Sequence, residues 1–148
     1  MARGKVPDMR LVLVGKSFKG DDSLAFASEL GVAVVGEVNR PQLIERYRSA
    51  RIFVFPSLYE GFGLPPLEAM ACGTPVVCSN AASLPEVTGD AAVPFDPNDP
   101  GELASILEEL WNSAQMRGEL SKKGLERVKL FSWKTCADGI QKAYAEAV

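Results

Sequence analysis

Among its 148 residues the sequence has no histidine. That removes the commonest general base and the commonest metal ligand together. Ser-His-Asp and Cys-His catalysis are therefore excluded within the chain. Cysteine is scarce: Cys72, Cys78 and Cys136 form no C-x-x-C pair. With scattered thiols and no imidazole, no tight transition-metal site is expected. Cys72 and Cys78 sit in apolar runs, which marks them as core thiols of a reducing compartment. An excess of positive charge is missing too, with 16 Lys and Arg against 19 Asp and Glu and a net charge of -3. This argues against a nucleic-acid partner, for which a basic stripe is the footprint. No apolar run approaches the roughly 20 residues that span a bilayer. No N-terminal segment has the charged-then-apolar build of a signal peptide. The expected location is the cytoplasm.

What is present reads as a globular α/β chain. Apolar residues at 47% and charged residues at 24% suit one soluble domain with a proper core. "MRLVLVG" (Met9–Gly15) is apolar without alternation and predicts a strand buried on both faces. "DDSLAFASELG" (Asp21–Gly31) predicts a helix with an acidic start and a glycine stop. "VAVVG" (Val32–Gly36) predicts a second strand, and "RPQLIERYRSA" (Arg40–Ala50) a helix with proline in its first turn. "RIFVFP" (Arg51–Pro56) and "PVVCS" (Pro75–Ser79) predict two further strands, and "AAVPFD" (Ala91–Asp96) a weaker fifth. Helices follow from Asp99, over about Gln115–Leu130, and from a Ser132 cap to the C-terminus. Trp111 and Trp133 are expected to anchor the packing of these helices, and Glu86 to sit at a helix start. Strand–helix alternation implies a doubly wound, parallel Rossmann-like sheet of about five strands with helices on both faces. Ligands of such sheets bind beyond the carboxyl ends of the strands. Four loops qualify: Gly15–Asp21, Gly36–Arg40, Pro56–Gly63 and Ser79–Leu84.

The third loop opens the most informative stretch, "YEGFGLPPLEAMACGTPVV" (Tyr59–Val77). Pro65 and Pro66 suit a first helical turn starting near Leu64, and Gly73 a left-handed stop. Gly61 and Gly63 remove Cβ atoms where amides point outward, which is an anion-binding arrangement suited to phosphate. Glu68 follows about one turn into a helix with no evident polar face, so it is expected to be buried and hydrogen bonded. A carboxylate repels phosphate, so its natural partners are ribose hydroxyls. Glu60, before the helix, can reach the hydroxyls or developing positive charge of a sugar. A structural reading stands beside this one: glycine-rich turns after strands are common, and glutamate in a first turn favours the helix dipole without a ligand.

The stretch "FPSLYEGFGLPPLEAMACGTPVVCSNAASLPEVTGDAA" resembles the C-terminal, nucleotide-sugar-binding half of retaining GT-B glycosyltransferases of the family 4 type. Two glutamates separated by seven residues, here Glu60 and Glu68, carry the likeness, with "PNDPGELASILEEL" and "FSW" continuing it. The resemblance implies that Glu60 contacts the transferred sugar near its reacting carbon, as nucleophile or as stabiliser of an oxocarbenium-like state, the second being favoured. It implies that the amides around Gly61, Phe62, Gly63 and Leu64 hold the donor diphosphate and that Glu68 binds the ribose. Glu37 and Val38, in "VVGEVNR", match the loop that reads the base. Lys16, after the first strand, falls at the same crevice edge, a plain solvated charge being the alternative. The implied donor is GDP-mannose or a UDP-hexose, used with no cofactor and no required metal. The resemblance also implies that residues 1–148 form one domain, a fragment without the donor half's first strand and helix and without the N-terminal acceptor-binding domain. Any membrane contact, at the inner face, then belongs to the parent enzyme. The alternative is a nucleotide or nucleotide-sugar binding module with no transferase activity of its own.

Overall fold

The computed structural model describes residues 8–15, 27 and 29–147. Strands form where β-branched and aromatic residues cluster: β1 Val12–Val14, β2 Ala33–Gly36, β3 Phe53–Phe55, β4 Val76–Ser79 and β5 Ala92–Phe95. Between and after them lie α1 Arg40–Ser49, α2 Leu64–Ala71, α3 Leu84–Thr88, α4 Pro100–Asn112, α5 Ala114–Arg127 and α6 Trp133–Glu146. All strand pairs are parallel. The five strands fall into two hydrogen-bonded groups, β1–β2 and β3–β4–β5. The helix expected over Asp21–Gly31 lies, except at its C-terminal end, outside the described residues.

Side-chain alternation along the three-stranded group places helices on both of its faces. Val76 and Cys78 of β4 pack with Phe53, Phe55 and Ala92 in one cluster, which Tyr47, Leu67, Met70, Leu84 and Val87 complete. Val77, between them in sequence, packs with Phe95, Val93 and Ile52 in a second cluster, closed by Leu103, Ile106, Leu110, Met116 and Leu120. Thus α1, α2 and α3 cover one face and α4 the other, while α5 closes the second cluster through Met116 and Leu120 and reaches α2, where Gly124 packs on Met70. Strand β4 is buried along its whole length, as the central strand of such a sandwich must be. Cys78 is a core thiol as expected, and burial pushes its thiol upward from the ordinary range.

Local signals set the helix ends. Asn39 and Gln42 exchange two 3.0 Å bonds in a capping box that starts α1. Asp99 accepts from the amides of Gly101 and Glu102 at the start of α4, and Ser132 from the Thr135 amide at the start of α6. Gly73, at φ +77°, ends α2 by donating to the Met70 carbonyl at 2.9 Å.

Three expectations are corrected. Strand β1 is not buried on both faces: Val12 and Val14 are 41% and 38% exposed, because only β2 pairs with it among the described residues. Trp133 anchors nothing and is 83% exposed, whereas Trp111 is half-buried beneath the Arg51 guanidinium, 4.2 Å from its ring centroid. Helix α2 is not buried all round, since Leu64 and Ala71 are exposed and Glu68 keeps a third of its side chain in solvent.

Candidate functional site

Beyond the carboxyl end of β3, the chain turns through residues 56–63 into α2, and three serine hydroxyls fix the turn. Ser57 donates to the Glu60 carboxylate at 2.9 Å, in the turn itself. Ser79, fully buried at the end of β4, donates to the Ser57 carbonyl. Ser83, in the loop after β4, bonds the carbonyls of Glu60 and Phe62 at 3.0 and 2.9 Å. Because the peptide unit is planar and trans, a carbonyl held on one side sends the next amide to the other. The N–H groups of Gly61 and Gly63 therefore face away from Ser83, and no described residue accepts from either. The neighbouring Ala82 sits at φ +51°, a strained conformation for alanine that places Ser83 under the turn.

Gly63 is the hinge of the turn into α2. It is buried at φ +107°, and a Cβ there would lie 2.7 Å from the Leu84 side chain. No side chain caps α2, and Pro65 and Pro66 carry no N–H, so the free donors here are those of the turn and Leu64 rather than a full helix end. Gly61, Phe62 and Leu64 are exposed, so this is an open shelf. Phe62 is steadied from beneath by an edge contact with Phe131 at 5.8 Å.

Glu68 projects from α2 at its seam with α1. Its Oε2 accepts from the Tyr47 hydroxyl at 3.4 Å, and its Oε1 lies 3.3 Å from Arg40 Nη1. Tyr47 is buried, its ring edge-on to Phe53 at 5.2 Å and its carbonyl accepting from Thr74 at 2.7 Å. Burial first, then the Glu68 charge, pushes its hydroxyl up to about 12, so it stays a donor at any physiological pH. The Arg40 contact ties the start of α1 to Glu68, and exposed Glu37 and half-buried Val38 lie in the loop that leads into α1.

The structure thus joins the loops after β3 and β4 through Ser79 and Ser83, and the start of α1 to α2 through Glu68. Lys16 lies outside the described residues. Sequence reading missed Arg40, Tyr47, Ser57, Ser79 and Ser83. Ser57, three residues before Glu60, carried a local signal; the others act across 20 or more positions and carried none. Among the described residues no three Cys, Asp or Glu side chains gather as a metal group, and no helix is long and apolar enough to cross a membrane. A concavity of about 530 Å³ lies elsewhere, between α5 and the turn at Asp90. Most of its charges are paired: Lys123 pairs with Asp90 at 2.9 Å, and Arg127 donates to the carbonyls of Glu86 and Val87.

The family model described as Glycosyl transferases group 1 matches residues 1–127. The chain belongs to that family. This group 1 glycosyltransferase chain is 42% identical over 143 residues to the O-antigen chain mannosyltransferase B of Escherichia coli, covering 92% of the chain and 38% of the relative. Among solved structures, the sucrose-phosphate synthase of Thermosynechococcus elongatus superposes with a TM-score of 0.84 at 31% identity, over 99% of this chain and 40% of that one. The fold also matches the Anabaena protein Alr3699/HepE, solved in complex with UDP-glucose, with a TM-score of 0.80 at 21% identity over 95% of this chain and 42% of that one. The fold is that of GT-B glycosyltransferase C-terminal domains, and the chain spans less than half the length of these relatives.

Proposed function

We propose that this chain is the donor-binding part of a retaining glycosyltransferase of the family 4 type, one that moves a hexosyl group, mannose by preference, from a nucleoside diphosphate to an acceptor. The observation that carries the reading is the turn at 60–63, whose carbonyls Ser83 holds back and whose Gly61 and Gly63 amides are left to a ligand. As the bond from sugar carbon to diphosphate breaks, negative charge grows on the leaving oxygen, and preorganised amides stabilise it without reorganising. Metal-independent charge stabilisation is part of this proposal. The Glu60 carboxylate, steadied by Ser57, stabilises the positive charge left on the sugar. Glu68 takes the ribose hydroxyls, and the loop of Glu37 and Val38 faces the base. The E. coli relative's name supports mannose, and the UDP-glucose complex of the fold neighbour supports a nucleotide sugar in this crevice.

Titration of this chain with GDP-mannose, UDP-glucose and the free nucleoside diphosphates tests the assignment. Binding is expected in the millimolar range, about -4 kcal/mol. Glu68→Ala should weaken every nucleotide, whereas Glu60→Ala should matter only when the sugar is attached. If the double variant binds all of them as the parent does, the site is elsewhere.

A further inference from the structure

We propose that Tyr47 and Arg40 are positioning residues that hold the Glu68 carboxylate, one oxygen each, in the orientation that receives the vicinal diol of a ribose. The inference rests on the reading of Glu68 as the ribose acceptor and adds what makes that glutamate selective. Tyr47 reaches Oε2 and Arg40 reaches Oε1, so the plane of the carboxylate is fixed from α1. An ionised carboxylate offers about four acceptor positions. A hydroxyl donor on Oε2 and a cation beside Oε1 leave acceptor positions to solvent, matched to two adjacent hydroxyl donors.

The two partners differ in kind. Tyr47 is a rigid post: it is 6% exposed, its ring abuts Phe53, and Thr74 ties down its carbonyl. Its hydroxyl has no other acceptor among the described residues, so it is committed to Glu68. Arg40 is 76% exposed, yet the Asn39–Gln42 capping box fixes the backbone from which it extends. A surface ion pair alone contributes little to stability. Its effect here is on orientation: a glutamate fixed before binding does not spend binding energy on rotamer freedom. Arg40 also adjoins the loop of Glu37 and Val38, so the same contact sets ribose against base.

The test compares GDP and UDP with their 2′,3′-dideoxy counterparts by calorimetric titration of the whole chain. Tyr47→Phe and Arg40→Gln should each weaken the ribonucleotides roughly three- to tenfold, the first by losing one hydrogen bond and the second by losing the cation beside Oε1. Both should leave the dideoxy forms at the parent's affinity. The two together should approach Glu68→Ala without exceeding it. A purely structural role would weaken both nucleotide forms equally or neither, and either result overturns the inference. If Glu68→Ala discriminates the two forms while Tyr47→Phe and Arg40→Gln do not, positioning fails and the ribose reading stands. If Glu68→Ala itself does not discriminate, or the parent binds no nucleotide, both fail. Arg40→Gln alters an exposed side chain, so the test stands even if Tyr47→Phe misfolds.

Discussion

Tyr47 shows how one side chain can serve core and site together. Its ring belongs to the cluster beneath β3 and β4, and its hydroxyl reaches the crevice rim at Glu68. Raising the hydroxyl from 10.0 to about 12 means the folded chain keeps a proton that the unfolded chain releases. The stability this brings is full below pH 10 and is lost as pH climbs from 10 through 12. Allowing for the solvent beside Glu68, the loss should be about 1–2 kcal/mol. Urea midpoints of the parent and of Tyr47→Phe at pH 8, 10 and 11 measure it. The parent's advantage should shrink as pH rises, and a constant difference would show that the hydroxyl is not held by burial and Glu68.

At the scale of an element, the turn into α2 separates two glycines that look alike in sequence. Gly63 sits at φ +107° with Leu84, itself fully buried, where a methyl group would go. Gly63→Ala should therefore destabilise the chain by about 2–3 kcal/mol, adding backbone strain to overpacking. Gly61 has nothing within 4 Å of a notional Cβ and no positive φ, so Gly61→Ala should change stability by less than about 0.5 kcal/mol. Denaturant unfolding of the two variants checks this, and equal losses would refute the distinction. The sequence placed the turn, the two prolines, the start near Leu64 and the stop at Gly73, because each has a local cause in backbone chemistry. It did not show what holds the turn. Ser83 acts on Glu60 and Phe62 from more than 20 positions away, and Tyr47 acts on Glu68 at a similar separation. Such contacts exist only once β3, β4 and their helices have packed, so no local pattern announces them.

Across the whole molecule, apolar runs located the five strands, but burial depends on neighbours that a run does not name. Strand β4 is covered on both faces and reads as it should, whereas β1, equally apolar, stays half exposed and pairs only with β2 among the described residues. Helix α6 makes the same point more sharply. Trp133, Ala137, Ile140 and Tyr144 fall on one helical face at the spacing of a packed helix, yet no residue of α6 is buried. Its ion pairs, Lys134–Asp138 at 2.9 Å and Lys142–Glu146 at 3.8 Å, are exposed and add only tenths of a kcal/mol. An unpacked helix of 14 residues is marginal in water. The family match, moreover, ends at residue 127, before α6 begins. Deleting residues 133–148 should then leave the unfolding free energy from urea titration within about 1 kcal/mol of the parent's, since little buried apolar area is lost. Phe131, which steadies Phe62, is retained by that truncation, so nucleotide affinity should also hold. A loss beyond about 2 kcal/mol would mean that α6 packs against the body of this chain in solution, and that its apolar face has a partner within the same 148 residues.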